Sequence, residues 1–131
     1  MSQPQPVGHR GESPKRLLVV DDELTLTELL KRYLERLGYQ VDACTSPEGA
    51  LKLFGEQPSA YSLLVTDLTL PGINGEELVT QLRQMNPRLQ AVISSGYPYQ
   101  PVSRDVEFLQ KPFLPKNLAE LLERMLRAPR S

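Results

Sequence analysis

Short apolar runs alternate along the chain with longer segments in which apolar residues recur every three or four positions. The short runs, several of them rich in β-branched residues, are typical of strands. They lie at 17–20, 39–45, 61–66, 90–95 and 106–110. The periodic segments predict amphipathic helices at 24–37, 47–55, 76–85 and 115–127. Strands that alternate with helices in this way predict an α/β fold, with a parallel sheet and helices on both faces.

Residues at the predicted boundaries support this division. Gly38 stands where the first helix should end, and Ser46 followed by Pro47 is a typical start for the second helix. The sequence LPGING at 70–75 is rich in turn formers, and Asn-Pro at 86–87 should stop the third helix.

The segment between the last two predicted strands is an exception to the alternation. The sequence between Gly96 and Phe108, YPYQPVSRDVE, is short and contains Pro98 and Pro101. Because proline interrupts a helix interior, we expect the fourth helix of a regular alternation to be shortened or absent.

Composition places limits on the kind of protein. With 131 residues the chain is long enough for one domain, predicted here at 15–128, and the Pro-, Gln- and Gly-rich stretch at 1–14 predicts a disordered tail or linker. A net charge of -1 gives no basic surface for nucleic acid. The apolar runs are too short to cross a membrane, and a single cysteine cannot form an internal disulfide, so we expect a soluble, cytoplasmic domain.

Polar side chains lie at the carboxyl ends of four of the predicted strands, where ligands of open parallel sheets bind. They are Asp21 and Asp22 after the first strand, Asp67 after the third, Ser94 and Ser95 in the fourth, and Lys111 after the fifth. Each has an ordinary explanation by itself: Asp22 could cap the first helix, and Lys111 could be a solvated charge. Carboxylates gathered at one edge repel one another unless a cation lies among them, and Mg²⁺ suits such oxygen ligands. A carboxylate beside Mg²⁺ can attack an activated phosphoryl group, whose charge a lysine and a hydroxyl can neutralise.

Four segments carry a resemblance to a known family. LLVVDDE, LLVTDLTLPGINGEEL, AVISSGY and FLQKPF resemble the signature blocks of response-regulator receiver domains, the CheY-like family, over about residues 16–127. The resemblance implies a flavodoxin-like sheet of five parallel strands in the order 2-1-3-4-5. It also implies a phosphoacceptor domain of two-component signalling rather than an enzyme acting on a separate substrate.

The resemblance also assigns roles to particular residues. Asp67 matches the phosphoacceptor. Asp21, Asp22 and Asp67, with the backbone carbonyl of Thr69, match the ligands of Mg²⁺ (or Mn²⁺). Lys111 matches the lysine that pairs with the phosphoryl oxygens. Ser95, which precedes a glycine, matches the switch hydroxyl better than Ser94 does.

The remaining matched positions concern the switch and the turns. Phe108 matches the switch aromatic residue, and the Lys111–Pro112 bond is expected to be cis. Pro71 and Gly75 match the turn after the phosphoacceptor, and we expect Gly75 to need a positive φ.

The expected partner is a histidine kinase or a histidine phosphotransfer protein, with no direct contact to nucleic acid or membrane. The reduced fourth helix removes part of the family's usual dimer surface, so we expect a monomer or weak dimer. The segment after SGY also resembles receivers at the C-terminus of hybrid histidine kinases.

Two alternatives stand beside this interpretation. One is a degenerate receiver that binds proteins without phosphorylation. The other is a haloacid-dehalogenase-type phosphatase, in which the nucleophilic Asp would follow the first strand in an Asp-x-Asp pattern; here Asp21 and Asp22 are adjacent.

Overall fold

The computed structural model describes residues 14–127, which form one five-stranded parallel sheet flanked by helices. The strands are β1 (Arg16–Val20), β2 (Gln40–Cys44), β3 (Leu63–Asp67), β4 (Gln90–Ser95) and β5 (Val106–Gln110). The helices are α1 (Leu24–Arg36), α2 (Pro47–Glu56), α3 (Gly75–Arg83) and α4 (Pro115–Arg127). The strand order is β2-β1-β3-β4-β5, which confirms the predicted architecture. The predicted tail at 1–14 lies outside the described residues except for Pro14.

Alternation along the central strands divides the core into two layers. Leu17 and Val19 of β1 face the layer formed with α1 and α4, whereas Leu18 and Val20 face the layer formed with α2 and α3. All four side chains are at most 1% exposed, as expected for a strand covered on both faces. No helix among residues 14–127 is long and apolar enough to span a membrane.

The helix ends follow the sequence signals with one addition. Gly38 has a φ of 103° just after α1, and the Ser46 hydroxyl accepts a hydrogen bond of 3.1 Å from the Gly49 amide. Before α3, Asn74 and Glu77 form a reciprocal capping box, in which each side chain accepts a hydrogen bond from the other's backbone amide. This cap fixes the start of α3 immediately after the turn.

Within the described residues no helix lies between β4 and β5, which confirms the expectation about the fourth helix. We call residues 96–105 the β4–β5 segment. It ends at Asp105 in a left-handed conformation, with a φ of 57°. The edge strand β5 is therefore connected to β4 by a loop rather than by a helical crossover.

The start of β3 differs from the prediction because a short 3₁₀ helix, Pro58–Ala60, precedes it. Tyr61, predicted to begin the strand, instead stacks on Phe54 with ring centroids 5.3 Å apart. Its hydroxyl donates a hydrogen bond of 2.6 Å to the Asp42 carboxylate, which also accepts one of 3.0 Å from Arg16. This network ties β1, β2 and the entry to β3 together.

We expect Tyr61→Phe to lower the free energy of unfolding by about 1–2 kcal/mol at pH 7, because it removes a hydrogen bond to a charged group while keeping the ring. Burial alone raises the pKa of Asp42, but the hydrogen bonds from Tyr61 and Arg16 lower it overall. The stabilisation is therefore fully present above the ordinary carboxyl pKa and is lost as the pH falls through the lower folded value.

Urea unfolding of Tyr61→Phe and the wild type at pH 7 and at about pH 3 measures this effect. The difference between the two proteins should shrink at the lower pH. Tyr33→Phe, on α1 and outside the network, is the control. An equal loss at both pH values would contradict the assignment of the effect to the Asp42 carboxylate.

Candidate functional site

Parallel pairing brings the polar strand ends to one edge of the sheet. Asp21 directly follows β1, Asp67 is the last residue of β3, and Lys111 directly follows β5. Asp67 is in register with Ser94, and Ser95 is in register with Gln110, the residue before Lys111. The same edge therefore carries carboxylates, hydroxyls and an ammonium group.

Three carboxylates form the centre of this edge. One oxygen from each of Asp21, Asp22 and Asp67 lies within 4.8 Å of the other two. Asp21 is buried, and its Oδ1 accepts a hydrogen bond of 2.9 Å from the Glu23 amide, which fixes its orientation. The N-cap of α1 is Glu23, so the alternative that Asp22 caps this helix is wrong.

Lys111, the residue after β5, forms ion pairs with two of these carboxylates. Its Nζ lies 2.8 Å from Asp21 Oδ2 and 3.5 Å from Asp67 Oδ2. Burial alone lowers the pKa of Lys111, but the interactions with Asp21 and Asp67 raise it overall, so the side chain stays charged. The Lys111 amide donates a 2.8 Å hydrogen bond to the Ser95 carbonyl, and the Lys111–Pro112 bond is cis, as expected.

The charges at this edge are unbalanced. Burial raises the pKa of Asp67 and the neighbouring Asp21 raises it further, while Lys111 and the Thr69 backbone lower it without reversing the direction. Three carboxylates thus face one ammonium group. Oxygen donors so arranged fit a small divalent cation such as Mg²⁺, since added positive charge would favour the ionised form of Asp67.

The predicted switch residues Ser95 and Phe108 lie on β4 and β5. Ser94 and Ser95 are both buried, and Ser95 Oγ accepts a hydrogen bond of 3.3 Å from the Tyr97 amide. Phe108 is half-buried on β5 and contacts Tyr99 of the β4–β5 segment, with ring centroids 6.3 Å apart and planes inclined by 59°.

The turn after Asp67 contains two glycines, Gly72 and Gly75, with different roles. The expectation that Gly75 needs a positive φ was wrong: Gly72 has that conformation, with a φ of 92°. Gly75 is instead the first residue of α3, and a Cβ there would lie 2.7 Å from the Asp67 carbonyl oxygen. The position needs glycine because the helix approaches the strand end closely. Pro71 and Thr69 are exposed in the same turn.

The structure also shows a carboxylate that the sequence analysis did not single out. Glu76, the second residue of α3, accepts hydrogen bonds from three residues of the β4–β5 segment. These partners are more than 20 residues away along the chain, so no local pattern indicates them. By contrast, the capping box could have been found from Asn74 and Glu77, three positions apart.

The fold and this site together define a class: a doubly wound α/β domain with an acidic cluster and a lysine at the carboxyl edge of its sheet. The family model described as "Response regulator receiver domain" matches residues 17–123. The chain therefore belongs to the response regulator receiver domain family, whose members act in two-component signalling as phosphoacceptor domains rather than as conventional enzymes.

Relatives and solved structures agree with this assignment. The chain is 31% identical over 118 residues to the response regulator receiver protein CpdR of Brucella abortus, covering 86% of this chain and 97% of CpdR. The receiver domain of the hybrid histidine kinase CckA is 32% identical with a TM-score of 0.78, covering 86% of this chain and 99% of that one. TrrA of Thermotoga maritima, solved in complex with Mg²⁺ and beryllofluoride, is 31% identical with a TM-score of 0.73, over 85% of this chain and 98% of TrrA.

Proposed function

We propose that the chain accepts a phosphoryl group on Asp67 from a phosphohistidine of a histidine kinase or a histidine phosphotransfer protein. The observation that carries this proposal is the meeting of Asp21, Asp22, Asp67 and Lys111 at one edge of the sheet. Of the three carboxylates, Asp67 combines partial exposure with contact to Lys111, so it is both accessible and paired with a charge that can bind a phosphoryl oxygen.

In the proposed reaction, a carboxylate oxygen of Asp67 attacks the phosphorus atom in line with the phosphorus–nitrogen bond of the donor. The new bond is an acyl phosphate, and the electron pair of the broken bond leaves with the imidazole nitrogen. Lys111 then pairs with a phosphoryl oxygen, and Ser95 donates its hydroxyl hydrogen to another. Apart from this transfer and hydrolysis of its own acyl phosphate, the domain catalyses no reaction.

Asp21, Asp22, Asp67 and the backbone carbonyl of Thr69 would hold Mg²⁺, or Mn²⁺ in its place. A bound divalent cation supplies positive charge opposite the phosphoryl oxygens during transfer. TrrA, a member of the same family, was solved with Mg²⁺ and beryllofluoride, which supports this part of the proposal.

The proposed output is a switch between two arrangements of the surface around β4 and β5. Movement of Ser95 towards the phosphoryl group would leave space for Phe108 to turn inward. Because no helix lies between these strands in the described residues, we propose a monomer or weak dimer. The proposed output is contact with other proteins in the cytoplasm, without binding to nucleic acid or membrane. CckA and the sensor protein EvgS of Escherichia coli O157:H7, of which the chain matches 6%, support a link to hybrid kinases.

The proposal is tested by incubating the protein with radiolabelled acetyl phosphate, with Mg²⁺ and with a chelator. Label should appear only with Mg²⁺ and should be lost in mild alkali, since an acyl phosphate is labile there whereas a phosphoserine is more stable. Absence of label, together with identical ¹H–¹⁵N spectra before and after addition of Mg²⁺ and beryllofluoride, would favour the degenerate receiver instead.

A further inference from the structure

Glu76 binds the β4–β5 segment at three points. Its carboxylate accepts hydrogen bonds from the Tyr99 hydroxyl at 2.8 Å, the Val102 amide at 2.6 Å and the Ser103 hydroxyl at 2.9 Å. Both oxygens take part, since Oε2 accepts the first two bonds and Oε1 the third. A segment without a helix has few internal backbone hydrogen bonds, so these contacts supply what regular structure would otherwise provide.

The charge of Glu76 strengthens this attachment. Hydrogen bonds to an ionised acceptor are stronger than neutral ones, and a carboxylate in the first turn of a helix is favoured by the helix dipole. Burial alone raises the pKa of Glu76, but the bonds from Val102, Tyr99 and Ser103 lower it overall, so the group is ionised at neutral pH. The attachment therefore depends on a negative charge that an amide would not replace.

On the α3 side, Glu76 is tied closely to the phosphoacceptor strand. It follows Gly75, whose amide donates a hydrogen bond of 2.8 Å to the Leu68 carbonyl and whose Cα leaves no room for a Cβ beside the Asp67 carbonyl. Glu76 can therefore move little relative to the end of β3.

On the other side, the segment contacts both proposed switch residues. Its Tyr97 amide donates to Ser95 Oγ, and the ring of Tyr99 packs against Phe108. Turning of Ser95 towards a phosphoryl group and of Phe108 inward would move the side chains that make these two contacts. Through its hydrogen bond to the Tyr99 hydroxyl, Glu76 holds Tyr99 at the contact with Phe108.

We propose that Glu76 is a positioning residue for the switch: it holds the β4–β5 segment where Ser95 faces Tyr97 and Phe108 faces Tyr99, and so opposes the phosphorylated arrangement. This inference rests on the proposed function of Asp67. Loss of the Glu76 charge should shift the equilibrium between the two arrangements towards the one that the phosphoryl group favours.

The test uses Mg²⁺ with beryllofluoride as the probe, titrated into ¹⁵N-labelled protein. Glu76→Gln should bind beryllofluoride about 5-fold more tightly than the wild type. Before any addition, its Ser95 and Phe108 amide peaks should lie along the line that joins the free and saturated wild-type peaks. Tyr99→Phe and Ser103→Ala each remove one hydrogen bond. Their affinities for beryllofluoride and their peak positions should change in the same direction by smaller amounts.

The matched control is Glu77→Gln, which removes the same charge from the same helix turn, while glutamine can still accept the capping-box hydrogen bond. It should leave the affinity and the two peaks unchanged. Unchanged or weaker binding by Glu76→Gln and Tyr99→Phe would overturn the positioning role while leaving the phosphoacceptor proposal intact. Failure of the wild type to bind the probe would overturn both.

Discussion

Asp67→Asn is expected to abolish labelling by acetyl phosphate, with a loss on the order of 100-fold or more, because a neutral amide is not a nucleophile. The substitution should also stabilise the Mg²⁺-free protein at neutral pH. The raised pKa of Asp67 means that folding disfavours its ionised form, mainly through burial and through the nearby Asp21 charge. Its ionisation therefore costs stability above the ordinary carboxyl pKa, and this cost disappears as the carboxyl becomes protonated at low pH.

Thermal unfolding in a chelating buffer measures the gain in stability, and labelling in the presence of Mg²⁺ measures the loss of phosphorylation. Asp42→Asn is the matched control, because hydrogen bonds from Tyr61 and Arg16 lower the pKa of Asp42 and its charge is stabilising. That variant should be less stable at neutral pH and still be labelled. Full labelling of Asp67→Asn would show that another residue accepts the phosphoryl group.

Gly75→Ala is expected to lower the free energy of unfolding by about 1–3 kcal/mol, as for other overpacked positions. The added Cβ would lie 2.7 Å from the Asp67 carbonyl oxygen and 3.2 Å from both Leu68 Cα and Thr66 Cγ2. Two of these three atoms belong to the backbone, so the clash cannot be relieved by rotating a side chain. Either α3 or the end of β3 must shift, and labelling of Asp67 should fall as well.

Chemical denaturation and labelling of the same preparation measure both consequences. Gly55→Ala in α2 is the control, since its Cβ would meet Met85 Sδ at an ordinary distance of 3.9 Å. That variant should be as stable as the wild type or more stable by about 0.5–1 kcal/mol. A Gly75→Ala protein of wild-type stability would show that α3 can move away from β3 without cost.

The layers of the fold could be predicted from the sequence because each strand and helix carries its own periodicity. β4, β5 and α4 have the predicted bounds, and the absence of a helix between β4 and β5 follows from Pro98 and Pro101. The strand order was an implication of the family resemblance, since periodicity does not say which strands are neighbours.

The details that could not be predicted depend on contacts between distant residues. The φ of Gly75 was misjudged because close approach and a left-handed backbone both call for glycine, and only the position of Asp67 distinguishes them. The start of β3 was placed too early because Tyr61, a good strand former, is held instead by Phe54 and Asp42. The grouping of carboxylates was predictable because every parallel strand ends at the same edge.

The ion pair between Lys111 and Asp21 bears on the proposed metal binding. Lys111 Nζ lies 2.8 Å from Asp21 Oδ2, and a divalent cation would also be attracted to this carboxylate. If the cluster holds Mg²⁺ as proposed, the metal and Lys111 would share the Asp21 carboxylate, and Lys111 would keep its second partner, Asp67, at 3.5 Å. Without the metal, Lys111 lies beside both Asp21 and Asp67, so loss of the metal would leave a cluster that the ammonium group still partly neutralises.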